Sequence, residues 1–434
     1  MSQYHEAYRR RLTTPDHAMD LVKDGDTILP GVNFGEPPAL LRALADRARA
    51  GAWKQIKTYS FNPFRHSAKT IFAPDLSDVI HPYTWFVSAG VRSAVKAGLS
   101  CFVPSFLYQI PRLIRDEMRV GVAMSAVSPM DAAGYFSLGA AAYMAAGFRV
   151  AEKKIVEVNA NMPRVFGDAM IHVSEVDAIV EHDEPLIESA VPESKPEDEV
   201  VGRLIADIVP DGASIQLGIG GLPNAAAKCF AGHKDLGIHT ELFGPGMVDL
   251  IRSGAINGRR KTLHQRRHVF AVAYGTKDTF EFMNDNPGME SYSADYIMDP
   301  AVIAQNDNMI SVNSIIEVDL TGQCNAETIG GEQFSGTGGQ LDFVRGAYAA
   351  KNGKSILAFY STARNCEVSR VVPMLPAGAG ITTPRADVHY LATEHGIINL
   401  KGKAARERAL AIIGIAHPKF RDDLIREAEN MRLL

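Results

Sequence analysis

The chain alternates short β-branched, apolar runs with longer stretches whose apolar positions recur at helical spacing. Ser214–Leu217 and residues 310–318 read as strands. Residues 39–50, 225–230 and 404–415 read as helices, and residues 417–433 as an amphipathic helix of mixed charge. Such alternation predicts an α/β protein with open sheets. In these sheets, ligands bind outside the strand C-termini, where loops converge. The most apolar stretch, residues 132–148, is rich in Gly and Ala and interrupted by Ser137 and Gly139. A membrane span needs about 20 predominantly apolar residues. The stretch therefore predicts a turn followed by a buried segment, and no membrane is expected as a partner.

The pattern also repeats. Asp24-Gly25-Asp26-Thr27-Ile28-Leu29-Pro30-Gly31 leads into a helical run, and Asp211-Gly212-Ala213-Ser214-Ile215-Gln216-Leu217-Gly218 does the same. Later, Ser128-Pro129-Met130-Asp131-Ala132-Ala133-Gly134 is echoed by Glu317-Val318-Asp319-Leu320-Thr321-Gly322. Two similar open α/β domains from an internal duplication follow, with an active site expected at their interface. Residues 181–199 carry eight acidic residues, one Lys and three Pro, which suits an exposed linker. The expected division is residues 1–185, a linker over 186–200, and residues 201–434. In this alignment Tyr59 falls opposite Glu241.

Composition narrows the function. At 434 residues, two domains are the default. A hydrophobic content of 46% and a charged content of 22% describe a globular chain. Net charge is −5, and the basic clusters Arg259-Arg260-Lys261 and Arg266-Arg267 are short, so nucleic acid is not an expected partner. The four cysteines lack CxxC spacing, and the thirteen histidines contain no HExxH, so no metal is expected. The start lacks a signal-like apolar core, and a cytoplasmic location is expected.

The chemistry centres on Glu241, in His239-Thr240-Glu241-Leu242, about twenty residues after the turn Gly218-Ile219-Gly220-Gly221-Leu222-Pro223-Asn224. A tight glycine turn offers backbone N–H groups to an oxyanion. A carboxylate beside it can attack an acyl group. The alternative is a solvated residue after an ordinary turn. The same choice applies to Gly336-Thr337-Gly338-Gly339, to Lys354 on its turn, and to Glu394 before His395-Gly396. Residues 305–308 either order a site through amide hydrogen bonds or make a turn. Arg65 and His66 either meet an anionic acyl group or lie on the surface. Glu327 and Glu332 with Glu241 raise glycoside hydrolysis, but two Trp supply few sugar platforms. The GxSxG elbow is absent.

These segments, in this order, resemble the acetyl-CoA hydrolase/transferase family of class I CoA-transferases. Within it, the chain is most similar to 4-hydroxybutyrate and butyrate:acetate CoA-transferases. The matches include Val156-Glu157-Val158-Asn159, His172-Val173-Ser174-Glu175, residues 218–225, His239-Thr240-Glu241, residues 305–308, residues 338–347, Ser369-Arg370-Val371-Val372-Pro373, Thr382-Thr383-Pro384-Arg385 and Thr393-Glu394-His395-Gly396. The resemblance implies two similar α/β domains and ping-pong transfer of CoA between a short acyl-CoA and a small carboxylic acid. It implies Glu241 as nucleophile, Glu394 as an auxiliary carboxylate, and the N–H groups of Ile219 and Gly339 as oxyanion donors. Gly218, Gly220, Gly221, Asn224, Gly336, Gly338 and Lys354 are expected to bind CoA. CoA is then a substrate, and no cofactor is needed. A homodimer or homotetramer is the family expectation.

Two departures stand out. Tyr296-Ile297-Met298-Asp299-Pro300 has Met298 where relatives often carry Asn, and Gly244-Pro245-Gly246 replaces a common Ser-Asp-Gly step. Met298, Arg65 and His66 are the expected acyl-pocket residues, and the departures point away from 4-hydroxybutyrate. Transfer to a dicarboxylate such as succinate or itaconate, and hydrolysis through the same Glu241, are the rival activities. A non-catalytic acyl-CoA-binding protein is the third reading.

Overall fold

The computed structural model describes residues 3–139, 141–189, 194–218 and 220–434. It divides into two compact units, Met1–Ser189 with Val269–Ile297, and Ala190–His268 with Met298–Leu434.

The first unit is built on seven parallel strands: β1 (Thr27–Pro30), β2 (Ile56–Ser60), β3 (Ile80–Thr84), β4 (Cys101–Phe102), β5 (Val122–Val127), β6 (Lys153–Val158) and β7 (Ala178–Glu181). Their order is β7-β6-β5-β1-β2-β3-β4. All six residues of β5 are buried, as expected for a strand covered on both faces. Helix α1 (Pro38–Arg49) starts with Pro in its first turn, where no N–H is missed, and buries Leu40, Leu41, Leu44, Ala45 and Ala48 in the core with Ile28, Ile56 and Val122. A short helix, α2 (Arg65–Lys69), follows β2.

In the second unit the strands are β8 (Ser214–Leu217), β9 (Gly237–Phe243), β10 (Met309–Ser314), β11 (Lys354–Ala358), β12 (Tyr390–Thr393) and β13 (Gly396–Asn399). The order is β13-β12-β11-β10-β8-β9, with only the β12–β13 pair antiparallel among these. Its helices include α3 (Pro196–Ala206), α4 (Gly221–Cys229), α5 (Gln340–Ala349), α6 (Ala405–Gly414) and α7 (Pro418–Asn430).

The series β7-β6-β5-β1-β2 and β12-β11-β10-β8-β9 have one topology, so the duplication is visible in strand order. It reaches individual turns. Asp131 Oδ1 accepts the N–H groups of Ala133 and Tyr135, and Gly134 follows at φ 89°. Asp319 Oδ1 accepts those of Thr321 and Gln323, and Gly322 follows at φ 94°. Both glycines supply the left-handed conformation these Asp-led turns require.

Three expectations are corrected. Thr27 pairs with Lys57, and Ser214 with Gly237. Counting along β2 and β9 from these pairs sets Phe61, not Tyr59, in the place of Glu241; Tyr59 matches His239. The expected linker over 186–200 contains the start of α3, whose Asp198 is buried. Pro196 in the first turn followed by Glu197, Asp198 and Glu199 is a helix-start pattern, because acids favour the positive end of the helix dipole. Finally, residues 269–297 belong to the first unit rather than the second. There Glu290 and Ser291 pair with Phe166 and Gly167, and Arg164 bridges Asp131 and Asp285.

Candidate active site

Glu241 lies within β9, opposite the end of β8 in a parallel sheet. Its Oε2 accepts the backbone N–H of Gly339 at 3.0 Å. Gly339 is the N-cap of α5, so its N–H sits at the positive end of a ten-residue helix. Burial pushes the Glu241 carboxyl up to about 7, and the Gly339 hydrogen bond offsets only part of that.

The surroundings explain the residue choices. A Cβ on Gly339 would lie 2.5 Å from Glu241 Oε2 and 3.0 Å from Met298 Sδ, so only glycine lets that N–H reach the carboxylate. Gly338, at φ 56°, makes the turn before it. Fully buried Met298 thus packs beside the donor, an apolar neighbour that keeps the carboxylate poorly solvated. Gly336 is buried in the same loop. Two residues before Glu241 on the same strand face, buried His239 lies 3.4 Å from the Asn306 amide and edge-on to Phe343. Asn308, at φ 53°, turns the chain into β10, and the Asn306 amide reaches His239 of β9. Pro245 opens the helix Pro245–Arg252 immediately after β9, so the Gly244-Pro245-Gly246 step is a helix start.

The glycine turn after β8 is held by an amide pair across the sheet. Gln216 and Asn313 exchange hydrogen bonds at 2.9 and 3.1 Å, and a Cβ on Gly218 would stand 2.8 Å from Asn313 Oδ1. Gly220 has φ 128° and Gly221 opens α4, with Asn224 in its first turn. Ile219 lies outside the described residues. The turn faces a carboxylate that sequence reasoning missed. Asp198 Oδ1 accepts the Tyr360 hydroxyl at 2.5 Å and Oδ2 the Lys195 N–H at 2.8 Å. A Cβ on Gly221 would lie 3.2 Å from Tyr360 Oη and 3.4 Å from Asp198 Oδ2.

The other expected residues have these settings. Glu394 follows β12 and accepts both the N–H and the hydroxyl of buried Ser361, with His395 Nε2 at 3.6 Å. The sheet order puts four interstrand steps, about 19 Å, between the strands of Glu394 and Glu241. Lys354 is the first residue of β11, paired with Ile310 at the N-terminal edge of the sheet, whereas Gly218 and Ser314 lie at the C-terminal edge. Arg65 and His66 belong to the first unit, where both face Glu184, at 3.9 and 3.5 Å. Burial lowers the His66 pKa. Glu327 precedes a small hairpin in which Glu332 pairs with Ile329, and Glu327 accepts from Thr382.

The first unit has two buried acids, Glu36, which no motif marked, and Glu157, which lies in the matched segment Val156-Glu157-Val158-Asn159. Glu36 accepts N–H groups of Phe64, His66 and Ser67 at the start of α2, and Glu157 accepts those of Ala39 and Leu40 at the start of α1. Burial raises both to about 7. Among the described residues no group of His, Cys, Asp and Glu could hold a metal ion, and no helix is long and apolar enough to cross a membrane.

A part-buried glutamate thus accepts a helix-start N–H within a parallel strand of a duplicated α/β scaffold. Comparison with known proteins identifies the family. Residues 1–189 match the acetyl-CoA hydrolase/transferase N-terminal domain, and residues 275–428 match the C-terminal domain. The chain is 43% identical to succinyl-CoA:cyclohexane-1-carboxylate CoA transferase of Geobacter metallireducens, over 99% of this chain and 97% of that protein. It is 39% identical to 4-hydroxybutyrate coenzyme A transferase of Clostridium kluyveri, over 98% and 99%. The crystal structure of RipA from Yersinia pestis superimposes with a TM-score of 0.97 at 46% identity, covering all of both chains. The chain belongs to the acetyl-CoA hydrolase/transferase family, and it is an enzyme of the CoA-transferase class.

Proposed function

We propose that the protein moves CoA between a short-chain acyl-CoA and a small carboxylic acid through a covalent glutamyl-CoA thioester on Glu241. The observation that carries this reading is the Glu241 carboxylate on the Gly339 N–H. A Glu241 oxygen attacks the thioester carbonyl, the C–S bond breaks, and CoA leaves as thiolate, giving an acyl-glutamyl anhydride. The thiolate then attacks Glu241 Cδ, the C–O bond to the acyl group breaks, and the first acid departs as carboxylate. The acceptor carboxylate runs the sequence in reverse. No net proton is exchanged.

Gly339 has a defined task in this scheme. When the thiolate attacks Cδ, the oxyanion forms on a glutamyl oxygen, and Oε2 already rests on that donor. Preorganised N–H groups of this kind contribute about 10²–10³ in rate each. Ile219 is proposed as a second donor, for the oxyanion on the substrate carbonyl. Water must be excluded, because the anhydride conserves the activation of the thioester only while the site stays dry; Met298 serves that end.

Acetyl- and butyryl-CoA are the proposed donors in the butyrate or 4-hydroxybutyrate pattern. Succinyl-CoA is the variant favoured by the relative from Geobacter metallireducens. Intact mass after incubation with each donor, with and without borohydride, tests the scheme. A CoA-sized adduct, or its reduced product, is expected on Glu241 and none on Glu241→Ala, whose transfer rate falls by at least about 10⁴-fold. Thioester consumption independent of added acid would turn the reading to hydrolysis. Turnover persisting in Glu241→Ala would remove the nucleophile assignment.

A further inference from the structure

The phosphates of CoA need a cation, and the residues around Glu241 described above include none. At the start of α4, Gly221 faces the buried Asp198 carboxylate, and no cation is recorded against that turn among the described residues.

A different anion site lies along the same edge. Arg370 is tied by its backbone N–H to Ser361 O at 2.9 Å, immediately beyond the C-terminal end of β11. Its guanidinium lies 5.8 Å from the ring centroid of Tyr360. The Lys195 ammonium lies 5.2 Å from the same centroid. Two cations thus share one aromatic ring. Among the described residues, no carboxylate oxygen lies within ion-pair distance of either. The acids nearby have other partners: Asp198 accepts from Tyr360 and the Lys195 N–H, Glu394 from Ser361, and Glu317 from Asn325. Burial draws the Arg370 pKa down, and the charges of Tyr360, Glu394 and Glu317 offset part of that. Three interstrand steps separate β11 from β9, about 14 Å, a reach that an extended pantetheine arm spans.

We propose that Arg370, assisted by Lys195, is the anchor for the phosphate end of CoA, with Tyr360 holding the two cations in place. The guanidinium fork suits bidentate phosphate binding, and the half-buried setting strengthens it. The inference rests on the CoA-transferase reading above and adds a named binding residue to it.

The test compares two donors carrying the same acyl group, acyl-CoA and acyl-pantetheine, the latter without phosphates. In Arg370→Gln, the KM for acyl-CoA is expected to rise about 10- to 100-fold. Little change is expected in kcat, in the KM of the acceptor acid, or in any constant for acyl-pantetheine. Arg370→Lys keeps a charge over Tyr360 and guards against a folding defect; its rise in KM is expected to be several-fold smaller. An equal rise for both donors, or an unchanged KM for acyl-CoA, would overturn the anchor. A rise in the acceptor KM alone would make Arg370 a carboxylate site and overturn it as well. Wild-type protein that forms no Glu241 thioester sinks the function reading itself. Wild type that forms it, beside an indifferent Arg370→Gln, sinks only the anchor.

Discussion

The two halves place different residues at one structural position. Phe61 directly follows β2, whereas Glu241 sits in β9, each four residues beyond a matched pair with the neighbouring strand. Phe61 is buried and packs against the rings of Phe86 and Tyr143. Gly31 and Gly218 also correspond. Each N–H bonds a carbonyl of the adjacent strand, at 2.7 and 2.8 Å, and neither leaves room for a Cβ, because the Gly35 carbonyl and Ser125 crowd one and Asn313 the other. One scaffold therefore carries an aromatic core residue in the first half and an ionisable group in the second. The acids buried in the first half teach the complementary lesson. Glu36 is surrounded by three backbone donors and Glu157 by two, which makes them helix caps; Glu241 has one described donor. Glu241 therefore keeps spare acceptor capacity, which the proposed reaction requires.

The sharpest way to break this comparison is Gly339→Ala. The added Cβ would collide with Glu241 Oε2, so a rate loss of about 10²–10³ is expected in transfer assays, with the fold retained by circular dichroism. Near wild-type turnover would show that the donor is dispensable.

A smaller effect is expected with pH. The nucleophile must be ionised, and burial holds Glu241 at about 7. Activity measured as kcat/KM should climb through that value and level off above pH 8, a gain of about tenfold from pH 6 to pH 8. A profile flat from pH 5 upward would mean that Glu241 ionises as an ordinary carboxylate.

The smallest effect separates the reactive acid from the caps by stability. A carboxyl raised to about 7 in the folded state stabilises the fold when protonated, and that contribution is lost as pH rises from about 4.5 through 7. Glu241→Gln should therefore raise the melting temperature at pH 8, by at most about 3 kcal/mol in stability, and the gain should vanish near pH 4. Glu36→Gln keeps one carbonyl oxygen for three N–H groups, so its gain at pH 8 should be smaller or reversed. Equal gains for both variants would erase the distinction between cap and nucleophile.

Much of the scaffold was legible in the residues. The paired Asp-Gly turns, the strand Ser214–Leu217, the helices near residues 39–50, 404–415 and 417–433, and the family of the chain all follow from local patterns. Glu241 stood out because it follows a glycine turn. Its contact with Gly339 crosses 98 residues, and no local pattern sets that distance. The match of Tyr59 to Glu241 failed because strand register is set by pairing with a neighbour, and a slip of two keeps the same face. Lys354 reads as a loop lysine until the sheet shows which edge it occupies. Asp198 was hidden in an acidic stretch that composition alone assigns to solvent.

The sequence by itself determined the repeating α/β pattern, the turns and the chemical groups available, because those depend on side-chain period and on backbone freedom within a few residues. Only the tertiary structure decided which of those groups meet. The parallel sheet gathers the ends of β8, β9, β10 and β11 along one edge. There burial raises one glutamate and spares it one donor, while Asp198 and Arg370 divide the neighbouring charge. Desolvation and through-space pairing set those properties, and both arise only when distant segments pack.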